Sequence, residues 1–117
     1  MLPGSITAAD CDGRAGLRCA TRDRLPLAGP VPNRDELVRR FALLRKNANA
    51  AIPHDGAVQD GLYVSAGYGS RGLAYVPLCT EALVAEMLGE PPPFGRRLQR
   101  ALSPSRFVIR DLARGKA

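Results

Sequence analysis

The residues whose types and spacing best suit chemistry are Gly67, Gly69 and Gly72, which spell GxGxxG between G-L-Y-V-S-A at Gly61 to Ala66 and an apolar run beyond. Glycines let the backbone approach a flat or anionic group closely, and the start of a helix offers free N–H groups and a partial positive end. An electron-rich group therefore fits there. The spacing is also that of the dinucleotide-binding fingerprint, but that unit needs a second strand after the helix, ending in an acidic residue for the ribose. Here the run is followed by Pro91, Pro92, Pro93 and an Arg-rich tail. The plain alternative is a tight strand-to-helix turn with no ligand.

Other chemistry is poorly supplied. With His54 as the single histidine, a Ser/His/Asp triad or a multi-His metal site would need unusual substitutes, and an exposed loop histidine is the simpler reading. Cys11, Cys19 and Cys79 are odd in number and lack CxxC spacing, so they read as reduced thiols and no metal is expected. Net charge is +6, and 15 of the 17 basic residues are Arg, the side chain that forks onto carboxylates and phosphates. From Phe94 onward Arg96, Arg97, Arg100, Arg106, Arg110, Arg114 and Lys116 face only Asp111, a tail able to follow a phosphate backbone. Nucleic acid is thus a candidate partner. An Arg-rich solvated surface is the bland alternative, since no aromatic interleaving accompanies the charge.

The elements that must position these residues follow from periodicity. At 117 residues, with 45% hydrophobic and 24% charged, the chain reads as one domain, residues 1 to 117, with a modest core. No window approaches the roughly 18 apolar residues of a membrane span, so a soluble, cytoplasmic protein with no membrane partner is expected. Breaks are expected at Pro26 to Pro32, Asn47 to Asp60 and Gly89 to Pro93. Ala15 to Thr21 alternates as a half-buried strand, and Gly61 to Ala66 reads as a second. Asn33, with Glu36 three places on, is a capping-box start for a helix running to about Lys46, with Leu37, Phe41, Leu44 and Ala48 on one side. Pro77 to Leu88 reads as a helix apolar nearly all round, hence buried on most sides, with Pro77 at its first position. Arg96 to Leu102 suits a short helix and Arg106 to Ile109 an extended segment. The fold class is α+β.

Five stretches carry a resemblance. G-R-A-G-L-R-C-A-T-R-D-R-L-P-L-A-G-P-V-P at Gly13 to Pro32, G-L-Y-V-S-A-G-Y-G-S-R-G-L at Gly61 to Leu73 and P-L-C-T-E at Pro77 to Glu81 resemble the C-terminal end of a family of bacterial tRNA-modifying enzymes. That family makes 5-methylaminomethyl-2-thiouridine, and its C-terminal half is an FAD-dependent oxidoreductase of the D-amino-acid oxidase and glycine oxidase type. S-P-S-R-F at Ser103 to Phe107 and R-D-L-A-R-G-K at Arg110 to Lys116 are similar to the way the family ends.

The resemblance implies that Gly67, Gly69, Ser70, Arg71, Gly72 and Leu73 lie against the flavin ring near its pyrimidine side. Arg71 would there favour the reduced, negatively charged flavin, or else be a solvent-facing loop residue. It also implies Arg18 and Arg22 as candidates for a substrate carboxylate, with Tyr63 facing the site or merely packed in its strand. No catalytic residue is assigned. The implied reaction is oxidative removal of the carboxymethyl group from carboxymethylaminomethyl-uridine in tRNA. The chain lacks the βαβ unit that would hold the ADP portion of FAD, so as a fragment it is expected to be silent alone. A small basic RNA-binding module without cofactor is the competing reading.

Overall fold

The computed structural model describes Gly4 and residues 7–42 and 57–116. A short 3-10 turn at Ala8–Asp10 precedes strand β1 (Leu27–Pro32), helix α1 (Arg34–Phe41), strand β2 (Val58–Ala66), and helices α2 (Gly72–Leu88), α3 (Arg96–Leu102) and α4 (Arg106–Ala113). The two strands pair antiparallel, with Leu27 opposite Ala66, Gly29 opposite Val64 and Pro30 opposite Tyr63; the register is irregular between Pro30 and Pro32. This is the expected α+β class.

The strand expected at Ala15 to Thr21 does not form. Residues 11–19 are exposed and without regular structure, and only Ala20 makes a bridge, to Tyr68. Alternation marks a strand only where a partner stands opposite, and β2 pairs instead with Leu27–Pro32, the stretch expected to be a break. Pro30 and Pro32 are tolerated because, among the described residues, β1 has a neighbour on one side alone, so a missing N–H need not cost a ladder bond.

Helix α1 starts as its sequence dictates: the Asn33 side-chain oxygen accepts from the Glu36 N–H at 3.2 Å. The reciprocal half of the capping box is absent. Glu36 turns to Arg39 and Arg40, while the Asn33 N–H donates to the Ala57 carbonyl at 2.8 Å, tying the start of α1 to the residue that leads into β2. Leu37 and Phe41 are buried with Ala57, and Val108, Ile109 and Leu112 of α4 pack against them. Leu44, Ala48, His54 and the expected continuation to Lys46 lie outside the described residues.

Two further expectations are corrected by tertiary packing. Arg106 to Ile109 is helical rather than extended: the β-branched pair Val108 and Ile109 suggests a strand, but with Leu112 one turn on it forms the stripe that closes the core over α1. Helix α2 begins at Gly72, and Pro77 lies inside it. A proline there deprives only the carbonyl of residue 73 of its helical donor, and Leu73 is exposed, where water can serve. Nor is α2 buried on most sides. Cys79 and Ala85 are buried, whereas Leu73, Val76, Leu78, Val84, Met87 and Leu88 are exposed, because the described part of the chain covers one face of the helix. Gly89, at φ 69°, ends it in the left-handed conformation.

Candidate functional site

The glycine motif forms the turn between β2 and α2. Gly67 and Gly69 hold φ of 73° and 58°, a region that side chains disfavour. A Cβ on Gly67 would stand 2.8 Å from the Thr21 methyl, and one on Gly69 would meet the Ala20 Cβ at 3.5 Å. The Gly69 N–H donates to the Cys19 carbonyl at 2.8 Å, so residues 19–21 lie directly against the turn. The bareness of these two glycines is therefore accounted for by the chain itself.

Beyond them the turn opens. Ser70, Arg71 and Leu73 are exposed and Gly72 half-buried; a Cβ on Gly72 would touch only the Tyr68 Cβ, at 3.7 Å. The Ala74 and Tyr75 N–H groups donate to the Arg71 carbonyl, both at 3.1 Å, which leaves Gly72 and Leu73 as the helical positions whose N–H groups have no acceptor within α2. The Arg71 guanidinium donates to the Tyr75 hydroxyl, one turn further along α2, at 3.3 Å. Two free N–H groups, the α2 N-terminus and an exposed arginine thus follow one another along residues 71–73. This donor set fits the electron-rich edge of a flavin, with Ser70, Arg71, Gly72 and Leu73 able to face it, while Gly67 and Gly69 shape the turn from behind.

Next to the turn, a side chain of β2 pairs with one of the turn itself. The Tyr68 hydroxyl and Ser65 hydroxyl share a hydrogen bond at 2.6 Å, and Cys79 is buried next to Tyr68. Burial pushes both the Tyr68 phenol and the Cys79 thiol up from their usual values. Neither is an activated nucleophile. Cys11, Cys19 and Cys79 are all free thiols.

The three substrate candidates are dispersed. Arg18 is exposed and adjoins Cys19, so it stands near the turn. Tyr63 is half-buried on β2 opposite Pro30. Arg22 points to α4, where it pairs with Asp111 at 3.4 Å and stands 5.3 Å from the Phe107 ring centre. Among the described contacts none joins the three.

The residue that sequence reasoning missed is Asp23. Its carboxylate is forked by Arg106, Oδ2 receiving Nε and Oδ1 receiving Nη2, each at 2.9 Å, and Arg110 adds a third bond at 2.8 Å. Arg106 is 5% exposed, and its remaining protons go to the carbonyls of Leu25, Leu102 and Ser103. Its guanidinium also lies 4.3 Å from the Phe107 ring centre. The Arg106 guanidinium holds the Asp23 carboxyl well below the usual carboxylate range; partial burial opposes this, and the Leu25 N–H, the Thr21 hydroxyl and Arg110 reinforce it. No spacing signal links residues 83 apart, although both T-R-D and S-R-F stand out as motifs.

No family model matches the chain. Curated relatives do. It is 50% identical over 105 residues to the tRNA 5-methylaminomethyl-2-thiouridine biosynthesis bifunctional protein MnmC of Saccharophagus degradans, and 42% identical over 113 residues to that of Chromohalobacter salexigens. The chain is homologous to a segment of MnmC. The MnmC of Pseudomonas syringae pv. syringae matches at 42% over 111 residues. These matches take in 90%, 97% and 95% of this chain but 15%, 16% and 17% of the relatives, so the chain spans about one-sixth of the MnmC proteins it matches. With 97% of the chain matched, the glycine turn, the T-R-D turn and S-P-S-R-F all fall inside the MnmC-like region.

Proposed function

We propose that this chain supplies the flavin-edge turn of an FAD-dependent oxidoreductase that modifies the wobble uridine of tRNA. The observation carrying this reading is that the Gly72 and Leu73 N–H groups open α2 without a helical acceptor, directly after the exposed Arg71. FAD, when bound, accepts the hydride from the carbon beside the amine of the carboxymethylaminomethyl group. The chain's own contribution is electrostatic: the helix N-terminus and the guanidinium favour negative charge at the edge that meets them. Arg18 and Tyr63 remain candidates for the substrate side. Arg22 is a weaker one, being engaged with Asp111 and Phe107. Without an ADP-binding unit, weak flavin binding and no turnover are expected of the chain alone.

The test is a flavin titration. Gly72→Val places a branched side chain at the open corner and should abolish the perturbation of flavin absorbance produced by the unaltered chain. Equal perturbation by both proteins would exclude the corner as the binding place. The second reading, an RNA-binding module, draws on Arg96, Arg97 and Arg100, exposed on α3. Arg106 and Arg110 are committed to Asp23, which weakens it. It requires tRNA binding that falls steeply with salt and is indifferent to Gly72→Val.

A further inference from the structure

We infer that Asp23 and Arg106 form a positioning latch that acts through Thr21 to fix the backbone of the glycine turn, so that the C-terminal helix α4 sets the geometry of the α2 N-terminus. The links are continuous. Arg106, on the first turn of α4, grips both oxygens of Asp23 and also donates to the Leu25 carbonyl at 2.8 Å. Asp23 Oδ1 accepts from the Leu25 N–H at 3.2 Å, and the single proton of the Thr21 hydroxyl is shared between the Leu25 carbonyl at 2.6 Å and Asp23 Oδ1 at 3.0 Å. These bonds orient the Thr21 side chain so that its methyl occupies the space a Cβ on Gly67 would need. On either side the Cys19 carbonyl takes the Gly69 N–H, and Ala20 bridges to Tyr68. Residues 19–25 are thus held by α4 on one side and hold residues 67–69 on the other.

Arg106 and Asp23 touch neither the open corner nor any group that would lie in it. They are positioning residues, whose effect must travel through Thr21. The bond geometry suits that role: a planar fork fixes both the distance and the rotation of the carboxylate, whereas a lysine at 106 would supply one point charge and no fork. The meaning of the latch for cofactor binding rests on the flavin reading proposed above, but its existence can be tested without any flavin.

Amide hydrogen exchange of the full chain reads it directly. The ratio of the Gly69 N–H rate to the Leu37 N–H rate separates loosening of the turn from loosening of the core, since Leu37 donates inside α1. Arg106→Lys should raise that ratio about tenfold, the loss of roughly one charge-assisted hydrogen bond. Thr21→Ser keeps the hydroxyl and removes the methyl that faces Gly67; it should raise the ratio too, and in its background Arg106→Lys should add no more than about twofold. An unchanged ratio, or the full tenfold effect of Arg106→Lys in the Thr21→Ser background, would overturn the latch. If Arg106→Lys does not fold, Thr21→Ser and Thr21→Val decide. The first breaks the link to Gly67 and the second the links to Asp23 and Leu25, and a wild-type ratio in either contradicts the proposal. A chain whose residues 67–73 ignore FAD yet whose exchange ratio responds as stated would retain the latch and lose the flavin reading.

Discussion

At the scale of single side chains, the Asp23 carboxylate joins segments 83 and 87 residues apart in the chain, through Arg106 and Arg110. Removing Arg106 takes the fork from Asp23, which keeps Arg110 and the Leu25 N–H, and takes the donor from the carbonyls of Leu25, Leu102 and Ser103, a loss of about 1–3 kcal/mol. Arg106→Ala should therefore lower the urea midpoint far more than Arg22→Ala, whose guanidinium is largely in solvent. The pair also fixes a pH response. The folded-state carboxyl lies below its unfolded value of about 3.9, so its stabilisation is complete above roughly pH 4 and is lost as pH falls toward the folded value. Urea midpoints of the wild type and Asp23→Asn should differ by a constant amount from about pH 5 to 8 and converge in acid. Widening of the gap below pH 4 would refute the assignment. The glycines separate in the same way. Gly67→Ala combines a positive φ with the 2.8 Å approach to Thr21 and should cost about 1–3 kcal/mol, while Gly72→Ala, on α2 with ordinary contacts, should gain about 0.5 kcal/mol in thermal or urea unfolding.

At the scale of elements, the local signals that were legible are those completed within a few residues. Asn33 caps α1 because its oxygen reaches the N–H of Glu36, and Gly89 stops α2 by adopting φ 69°, both decided by neighbouring atoms. The elements misjudged are those settled at long range. β1 forms across prolines because β2 lies opposite, and α4 is helical because Val108, Ile109 and Leu112 find Leu37 and Phe41. The glycine turn was legible as a strand-to-helix turn because its spacing is local; what packs behind it was not, since Thr21 approaches from 46 residues away. Helix α2 shows the same limit. Leu73, Val76, Val84, Met87 and Leu88 fall on one stripe at helical spacing, roughly opposite buried Cys79 and half-buried Ala82, and that stripe meets solvent. Exposed apolar area of this kind binds dyes such as ANS. Replacing Val84 and Leu88 by Glu should sharply reduce ANS fluorescence without changing the urea midpoint by more than about 0.5 kcal/mol in stability. Undiminished fluorescence would mean that the stripe is not the exposed surface.

At the scale of the whole molecule, six hydrophobic residues are buried among those described, Leu37, Phe41, Ala57, Cys79, Ala85 and Leu102. The contacts that tie the described residues together are the strand pair, the α1–α4 contact and the Asp23 cluster. Such a molecule presents a site rather than enclosing one, in keeping with a span of about one-sixth of its MnmC relatives. A flavin seated at the open corner of residues 70–73 must perturb the backbone there, and following the backbone amide resonances of the full chain during titration with FAD reads this. Saturable shifts are expected at Ser70, Arg71, Gly72 and Leu73, with the Leu37 amide unmoved. Shifts confined to the arginines of α3, or none at residues 70–73 at saturating flavin, would contradict this placement.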